Sequence, residues 1–441
     1  MLDANIKIIS ELKDFISIIT ANPALLSRFS VCGGKHFTRN RKLPFSKLVL
    51  FIAKLCKKTL SVELEEFFKD MDCQMTYSVS AFSQQRLKLE PIFFYYWNMV
   101  LVKSFYHYYG ETIQRWRGYR LIAADGSTIS LINNAALNKH FGGQANQTTE
   151  FVLAKTYYHY DVLNEIIVLP HIESYRYGEL NMAYDTIGLI EEDMLMIYDR
   201  NFCNYKTVAL HMWQEKERKF VIRCSERRKI IKQFIDSGQS SCTVNLEPTM
   251  EAIAGLKKSG FIITRYSLLK VRLIRVELPG CVEVLMTNLW QEEGYETHLF
   301  KDIYFMRWKI ETNIATQKNI LQLEAFSGLT VPSILQDFYA TVLMTNLNYV
   351  LIKDAQNNAD TTMQHRKYPV KINRNKAFGK LKANLIDLFL REETDTILKK
   401  LHAYFIRDVL PVRKGRSFQR IRKNPQSKSK YKTFTNFKAA H

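Results

Sequence analysis

Apolar residues recur at helical spacing along the first hundred positions. Leu48, Ile52, Leu55 and Cys56 fall at i, i+4, i+7 and i+8, the period of a helix with one buried face. Ser61 to Phe68 reads as another helix, with Ser61 able to cap it and Glu63 to Glu66 in its first turn. From about residue 118 the pattern shortens. Tyr119–Ala124, Phe151–Asp161, Glu165–Ile172, Met194–Tyr198 and Phe220–Cys224 are compact apolar or alternating runs that predict strands. Val162-Leu163-Asn164 suggests a hairpin between the second and third. Glu179–Glu192, interrupted by Gly188, and Tyr205–Glu217 have helical spacing. The order β-β-β-α-β-α-β predicts an open α/β sheet. Cys242–Leu246, Phe261–Thr264, Val271–Leu278 and Cys281–Leu289 then predict a β-rich insertion at about 226–290. Helical patterns return over Ser333–Ile352 and Ala377–Tyr404, with a polar, loop-like stretch at about 355–376 between them.

One segment carries chemistry on a regular face. Tyr304 to Lys318 holds neither Pro nor Gly, so a helix is allowed. Tyr304, Arg307, Glu311 and Lys318 lie at i, i+3, i+7 and i+14, within about 60° of one another around that helix. Ile303, Ile310, Ile314 and Leu321 form an apolar stripe beside them. One acid set among a phenol and two cations suits a metal ion next to phosphate. An ordinary Arg307–Glu311 ion pair is the competing reading.

Two predicted strands run into an Asp. Tyr119–Ala124 leads into Asp125-Gly126-Ser127, and Met194–Tyr198 into Asp199-Arg200-Asn201-Phe202. Functional groups of an open α/β sheet gather at the carboxyl ends of its strands. If the first and fourth strands are neighbours, Asp125 and Asp199 face each other there. Two close carboxylates stay ionised at neutral pH when cations bind between them, and oxygen ligands without His or Cys favour Mg²⁺ or Mn²⁺. A turn residue and an N-cap are the plainer readings of the two.

Charge narrows the partner. The chain has 441 residues and a formal net charge of +20, which points to a polyanion, most simply nucleic acid. No run reaches the roughly 20 apolar residues of a spanning helix, and the N-terminal segment reads as an amphipathic helix, not a signal peptide. The 7 cysteines are scattered, odd in number and never paired as CxxC, which suggests reduced thiols in a cytoplasm. Ser78 to Lys88 resembles a recognition helix, with Ser83, Gln84, Gln85 and Arg86 as its outward residues. From Pro411 onward there is no acid, and Arg413, Lys414, Arg416, Arg420 and Arg422 begin a basic tail suited to phosphate contact.

Tyr304-x2-Arg307-x3-Glu311-x6-Lys318 resembles the Tyr-Arg-Glu-Lys signature of bacterial DDE transposases of the insertion sequence 4 group. The contexts of Asp125 in AADGS and Asp199 in YDRNF are similar to those of the group's two catalytic Asp residues, and Leu323-Glu-Ala-Phe-Ser-Gly follows the signature as it does there. The resemblance covers most of residues 35 to 380. It implies a ribonuclease H-like mixed-sheet core at 111–355, a helical DNA-binding domain at 1–110, and a C-terminal helical region with a basic tail at 356–441. It further implies that Asp125, Asp199 and Glu311 hold two Mg²⁺ ions, with Mn²⁺ as a substitute, and that Tyr304, Arg307 and Lys318 contact DNA near the cut. The implied activity is cleavage at the ends of an insertion sequence and joining of the 3′-hydroxyls to target DNA. A homodimer on the transposon ends and a bacterial, nucleoid-associated location go with it. An endonuclease without strand transfer and an inactive DNA-binding derivative remain as alternatives.

Overall fold

A computed structural model describes residues 2–39, 42–71, 77–145 and 150–413. Lys414, Arg416, Arg420 and Arg422 therefore lie outside the described residues. Arg413, the first of the expected tail cations, is exposed with its guanidinium 5.5 Å from the Tyr368 ring centre.

Nine strands form one sheet: β1 (Arg120–Ser130), β2 (Gly143–Ala145), β3 (Glu150–Asp161), β4 (Ile166–Ser174), β5 (Met194–Tyr198), β6 (Lys219–Arg223), β7 (Ser241–Leu246), β8 (Leu269–Leu278) and β9 (Cys281–Thr287). The main path runs β2-β3-β1-β5-β6-β9-β8-β7, with β4 also paired to β3. β1, β3 and β4 are antiparallel neighbours, whereas β5 and β6 run parallel to β1. The mixed α/β sheet expected from the strand order is present, and the first and fourth predicted strands, β1 and β5, are indeed adjacent.

Alternation along β1 and β5 sends their side chains to two different cores, as the period of two requires. Ile122, Ala124, Met196 and Tyr198 pack on one face with Met182, Ala183, Val208 and Ala209. Leu121, Ala123, Leu195 and Ile197 pack on the other with Ile303, Tyr304, Ile310 and Phe338. The Glu311 segment thus lies on one face of the sheet and the helix Glu179–Thr186 on the opposite face.

The insertion differs from its expected form. β9 pairs antiparallel with β6, so β7, β8 and β9 extend the main sheet. Phe261–Thr264 is not a strand, and Lys229–Asp236 and Met250–Lys258 are helices. Their apolar residues Ile231, Phe234, Ile253 and Leu256 fall on one helical face against the sheet, a longer period than the alternation read from the neighbouring strands.

The helical parts also join differently. Val331–Thr362 is a 32-residue helix started by a Thr330–Ser333 capping box with Pro in its first turn. It reaches Thr362, inside the stretch expected to be a loop from about 355 to 376. Leu2–Ala21, Phe45–Ala53 and Ile92–Tyr109 share one apolar core with it and with Arg374–Leu390 and Thr394–Arg407. The boundaries expected at about 110 and 356 are therefore crossed by a common core. Asn346 is buried because it binds the β4 backbone: its Oδ1 accepts from Ile167 N at 2.8 Å and its Nδ2 donates to Ile167 O at 2.9 Å. No helix among the described residues is long and apolar enough to cross a membrane.

Candidate active site

Parallel pairing of β1 with β5 ends at Ala123 and Ile197. Asp125 and Asp199 each lie two residues further on. Asp125 remains inside β1, opposite Tyr158 of β3, so it is a half-buried strand residue just past the end of the β5 pairing, not a turn residue. Asp199 caps the short turn Arg200–Phe202, its Oδ1 accepting from Asn201 N at 2.8 Å. The capping reading of Asp199 holds, and it leaves the second carboxylate oxygen free of that bond.

The Tyr304–Lys318 segment is helical in two pieces, Leu299–Phe305 and Trp308–Asn319. Between them Arg307 N bonds to Tyr304 O at 3.0 Å and Ile310 N to Arg307 O at 3.1 Å. These i→i+3 bonds tighten the turn at Met306–Arg307 without a Gly or Pro. Arg307 sits at this junction and is 6% exposed. Its Nη2 donates to Glu311 Oε1 at 2.8 Å and its Nη1 approaches Asp125 Oδ2 at 3.4 Å. The ion pair with Glu311 is real, but it is not an isolated surface pair, because the same guanidinium ties the helix to β1.

Lys318 Nζ donates to Thr128 O at 2.6 Å, three residues along β1 from Asp125. Lys155, to which no role was assigned from the sequence, donates to Thr128 Oγ1 at 2.9 Å. Burial, followed by the nearby Lys155 charge, lowers the Lys318 pKa against the pull of Glu324. Tyr304 is buried, and burial raises its phenol to about 12. Its Oη and Arg307 Nε lack hydrogen-bond partners. The Arg307 guanidinium lies beside that phenol and pulls its pKa down against the burial.

A fourth acid is present. Glu179 is the largest charged group acting on Asp125, ahead of Arg307 and Asp199. Burial first, then Glu179, with a smaller part from Asp199, raises Asp125 to about 7. Burial and Asp199 raise Glu179 in turn. The helix that begins at Glu179 was predictable. The role of its first acid was not, since acids are common in first turns.

All these acids are oxygen donors; Glu179 stands between the other two in effect, acting on Asp125 more strongly than Asp199 does, and such negative charge is of the kind a hard divalent ion relieves. Among the described residues, however, no three acids are close enough to enclose a metal ion. Arg307 stands between Asp125 and Glu311 and neutralises both. With Arg307 paired to Asp125 and Glu311, the acids are balanced within the protein itself.

This charge state has a measurable consequence. The Asp125 pKa is about 7 in the folded protein against 3.8 ordinarily, so the folded state holds the extra proton between these values. Stability from this group therefore falls as pH rises through that window. Mg²⁺ competes with the proton, and its stabilising shift of the melting temperature is expected to be larger at pH 8 than at pH 5. A shift of equal size at both pH values would show that Asp125 is not where the ion binds.

The remaining expected DNA contacts divide. Ser83 and Gln84 are exposed on the helix Val79–Arg86, which Ser78 caps through Ala81 N. Gln85 and Arg86 are buried, at 4% and 3% exposure. Gln85 Nε2 donates to Leu43 O, and Arg86 donates to Gln336, Ser327, Ser333 and Asp337. Their donors are spent inside the fold, which corrects the expectation that they reach a base edge.

No family model matches the chain, and no curated protein matches it in sequence. Among solved structures, a piggyBac transposase synaptic complex with hairpin DNA is similar at a TM-score of 0.39 and 11% identity, over 91% of this chain and 78% of that one. The site geometry, not this likeness, carries the functional reading below.

Proposed function

We propose that this protein is a DNA transposase, which cuts the ends of an insertion sequence and joins the freed 3′-hydroxyls to target DNA. The observation that supports this reading is Arg307 bridging Asp125 and Glu311, with the Asp199 charge acting on Asp125 where β1 and β5 part. Residues this far apart in sequence are held together by the β1–β5 register and by the Arg307 bridge.

Asp125 and Asp199 would hold the first ion, and Glu311 would complete the second position after Arg307 turns away. Two bound divalent ions, Mg²⁺ or Mn²⁺, supply Lewis-acid activation of the attacking hydroxyl and stabilisation of the leaving oxygen. Arg307, released from Glu311, presents its planar fork to a phosphate, and Lys318 adds a point charge beside it. Tyr304 Oη would donate to the same phosphate or its sugar once Arg307 moves. No covalent enzyme intermediate is needed. The net charge of +20, exposed Ser83 and Gln84, and Arg413 with the cations after it favour DNA as the partner. A homodimer is expected because both ends are cut together.

A labelled duplex carrying the inverted repeat that borders the coding sequence, together with flanking DNA, tests this. Nicking at the boundary with Mg²⁺ or Mn²⁺, none with Ca²⁺ or chelator, and transfer of the 3′ end to a second duplex are expected. Nicking without transfer would leave an endonuclease. Specific binding without nicking in either ion would leave a DNA-binding derivative.

A further inference from the structure

We propose that the cleft between the loop 35–39 and Lys88 takes a backbone phosphate of duplex DNA. The inference rests on the function proposed above for the choice of DNA as the polyanion. It assigns a role to residues outside the Tyr-Arg-Glu-Lys signature and away from the acids.

Backbone pairing brings this loop to the helix Val79–Arg86. Ser30 and Leu89 form an antiparallel bridge, Val31 N donates to Lys88 O at 2.9 Å, and Glu90 N donates to Phe29 O at 2.9 Å. The chain then turns through Cys32 and Gly33, whose φ angles of 63° and 59° lie in the left-handed region. Residues 35–39 end up across a cleft of about 270 Å³ from Gln85 and Lys88. Phe37 pins the middle of the loop. Its ring meets that of Phe45 edge-on, with centres 5.4 Å apart, and Phe45 belongs to the helical core.

Charge decides what the cleft holds. Lys35, His36, Arg39 and Lys88 line it, and among the described residues no acid does. Lys35 and Arg39 are exposed, and Lys88 is half-buried. Lys88 Nζ donates to Gln85 Oε1 at 2.9 Å, and Gln85 Nε2 donates in turn to Leu43 O at 3.2 Å. A neutral amide therefore holds Lys88 at the cleft without cancelling its charge. The same burial that withdraws Gln85 from a base edge gives it this use. Cations gathered without a carboxylate raise the local concentration of anions. A small-molecule site is built differently, with about 300–1,000 Å³ of mainly apolar lining. A phosphodiester suits the side chains present, with Arg39 as a fork and the two lysines as point charges. Exposed Ser83 and Gln84 precede Gln85 on the same helix, so a duplex held at the cleft lies beside that helix.

The test is binding of the full chain to two short duplexes of unrelated sequence over a range of salt concentrations. Lys35→Ala, Arg39→Ala and Lys88→Gln are each expected to reduce the slope of log K against log salt by about one and to weaken binding about fivefold at roughly 0.15 M salt. The factor should be the same on both duplexes, which a base-reading role would not produce. Arg39→Lys keeps the charge and should keep the slope. All four variants should melt as the wild type does, since they remove no buried packing. Lys103→Ala removes an exposed cation from the helix Ile92–Tyr109 and controls for net charge. If the cleft variants keep the wild-type slope, or if Lys103→Ala lowers it as much as they do, the cleft holds no phosphate. Nicking of the end-bearing duplex is followed alongside. Unchanged slopes in a chain that nicks overturn the cleft and leave the transposase reading standing. Slopes that fall as expected in a chain that nicks nothing keep the cleft and remove that reading.

Discussion

Alanine at Asp125, Asp199 or Glu311 is expected to lower end cleavage by about a thousandfold or more, while binding to the same DNA end stays within a few-fold of wild type. The size follows from the chemistry. A metal clamp on a displacement at phosphorus contributes several kcal/mol to the transition state, and each 1.36 kcal/mol is tenfold in rate. Retained binding follows from where DNA affinity comes from, since phosphate contacts to basic groups supply most of it. Removing an acid from a chain of net charge +20 does not weaken that term. The three variants are not equivalent in their side effects. Asp125→Ala and Glu311→Ala each free one arm of Arg307, so both should bind DNA slightly more tightly than Asp199→Ala. Gel-shift and cleavage assays on one labelled duplex read both quantities. Cleavage that survives Glu311→Ala would place the third acid elsewhere and remove the helix Trp308–Asn319 from the site.

The second large effect is on stability, at Arg86 and Asp337. Arg86 Nη2 bonds Asp337 Oδ1 at 2.6 Å, with side chains 4% and 8% exposed. Nε and Nη1 are taken by Gln336 Oε1 at 2.6 Å and Ser327 Oγ at 2.7 Å. Asp337 also accepts from Ser327 N at 2.6 Å. Burial opposes ionisation of Asp337, but Arg86, Lys57 and the Ser327 N–H outweigh it, and the carboxyl is held below its ordinary range. Removing one partner leaves an uncompensated buried charge, which costs about 3–5 kcal/mol. Arg86→Ala and Asp337→Ala are each expected to lose about that much in urea unfolding, and the double variant less than their sum. The contribution is present above about pH 4 and lost as pH falls through the depressed Asp337 value. An Arg86→Ala protein that unfolds like the wild type but binds DNA poorly would restore Arg86 to the base-reading role.

That network shows why a recognition helix was read too generously. Ser78 to Lys88 has the polar composition of a DNA-facing helix, and Ser83 and Gln84 are exposed as expected. Gln85 and Arg86 lie only one and two positions further on, but they turn toward Leu43 and Asp337. Sequence does not distinguish an arginine that meets phosphate from one that meets a buried carboxylate 251 residues away. Both need the same fork of donors.

Local pattern was enough for the strands β1, β3, β4, β5 and β6, because an apolar run bounded by polar turns reports on itself. It pointed to Asp125 and Asp199 as strand-end acids, but only Asp199 lies at a strand end, because β1 continues past Asp125 to Ser130 against β3; and the one helix expected over Tyr304–Lys318 is two, parted at Met306–Arg307. Whether the two strands that lead to those acids are neighbours depended on strand order, and only the β1–β5 pairing decided it. Glu179 had no signal of its own. It comes up against β1 through the absence of a Cβ at Gly126, 53 positions earlier. The sharing of one core by the two ends of the chain was likewise a tertiary outcome, settled by the long helix Val331–Thr362. Periodicity tells a residue which side of its own element it occupies. It is packing that determines what lies across from that side.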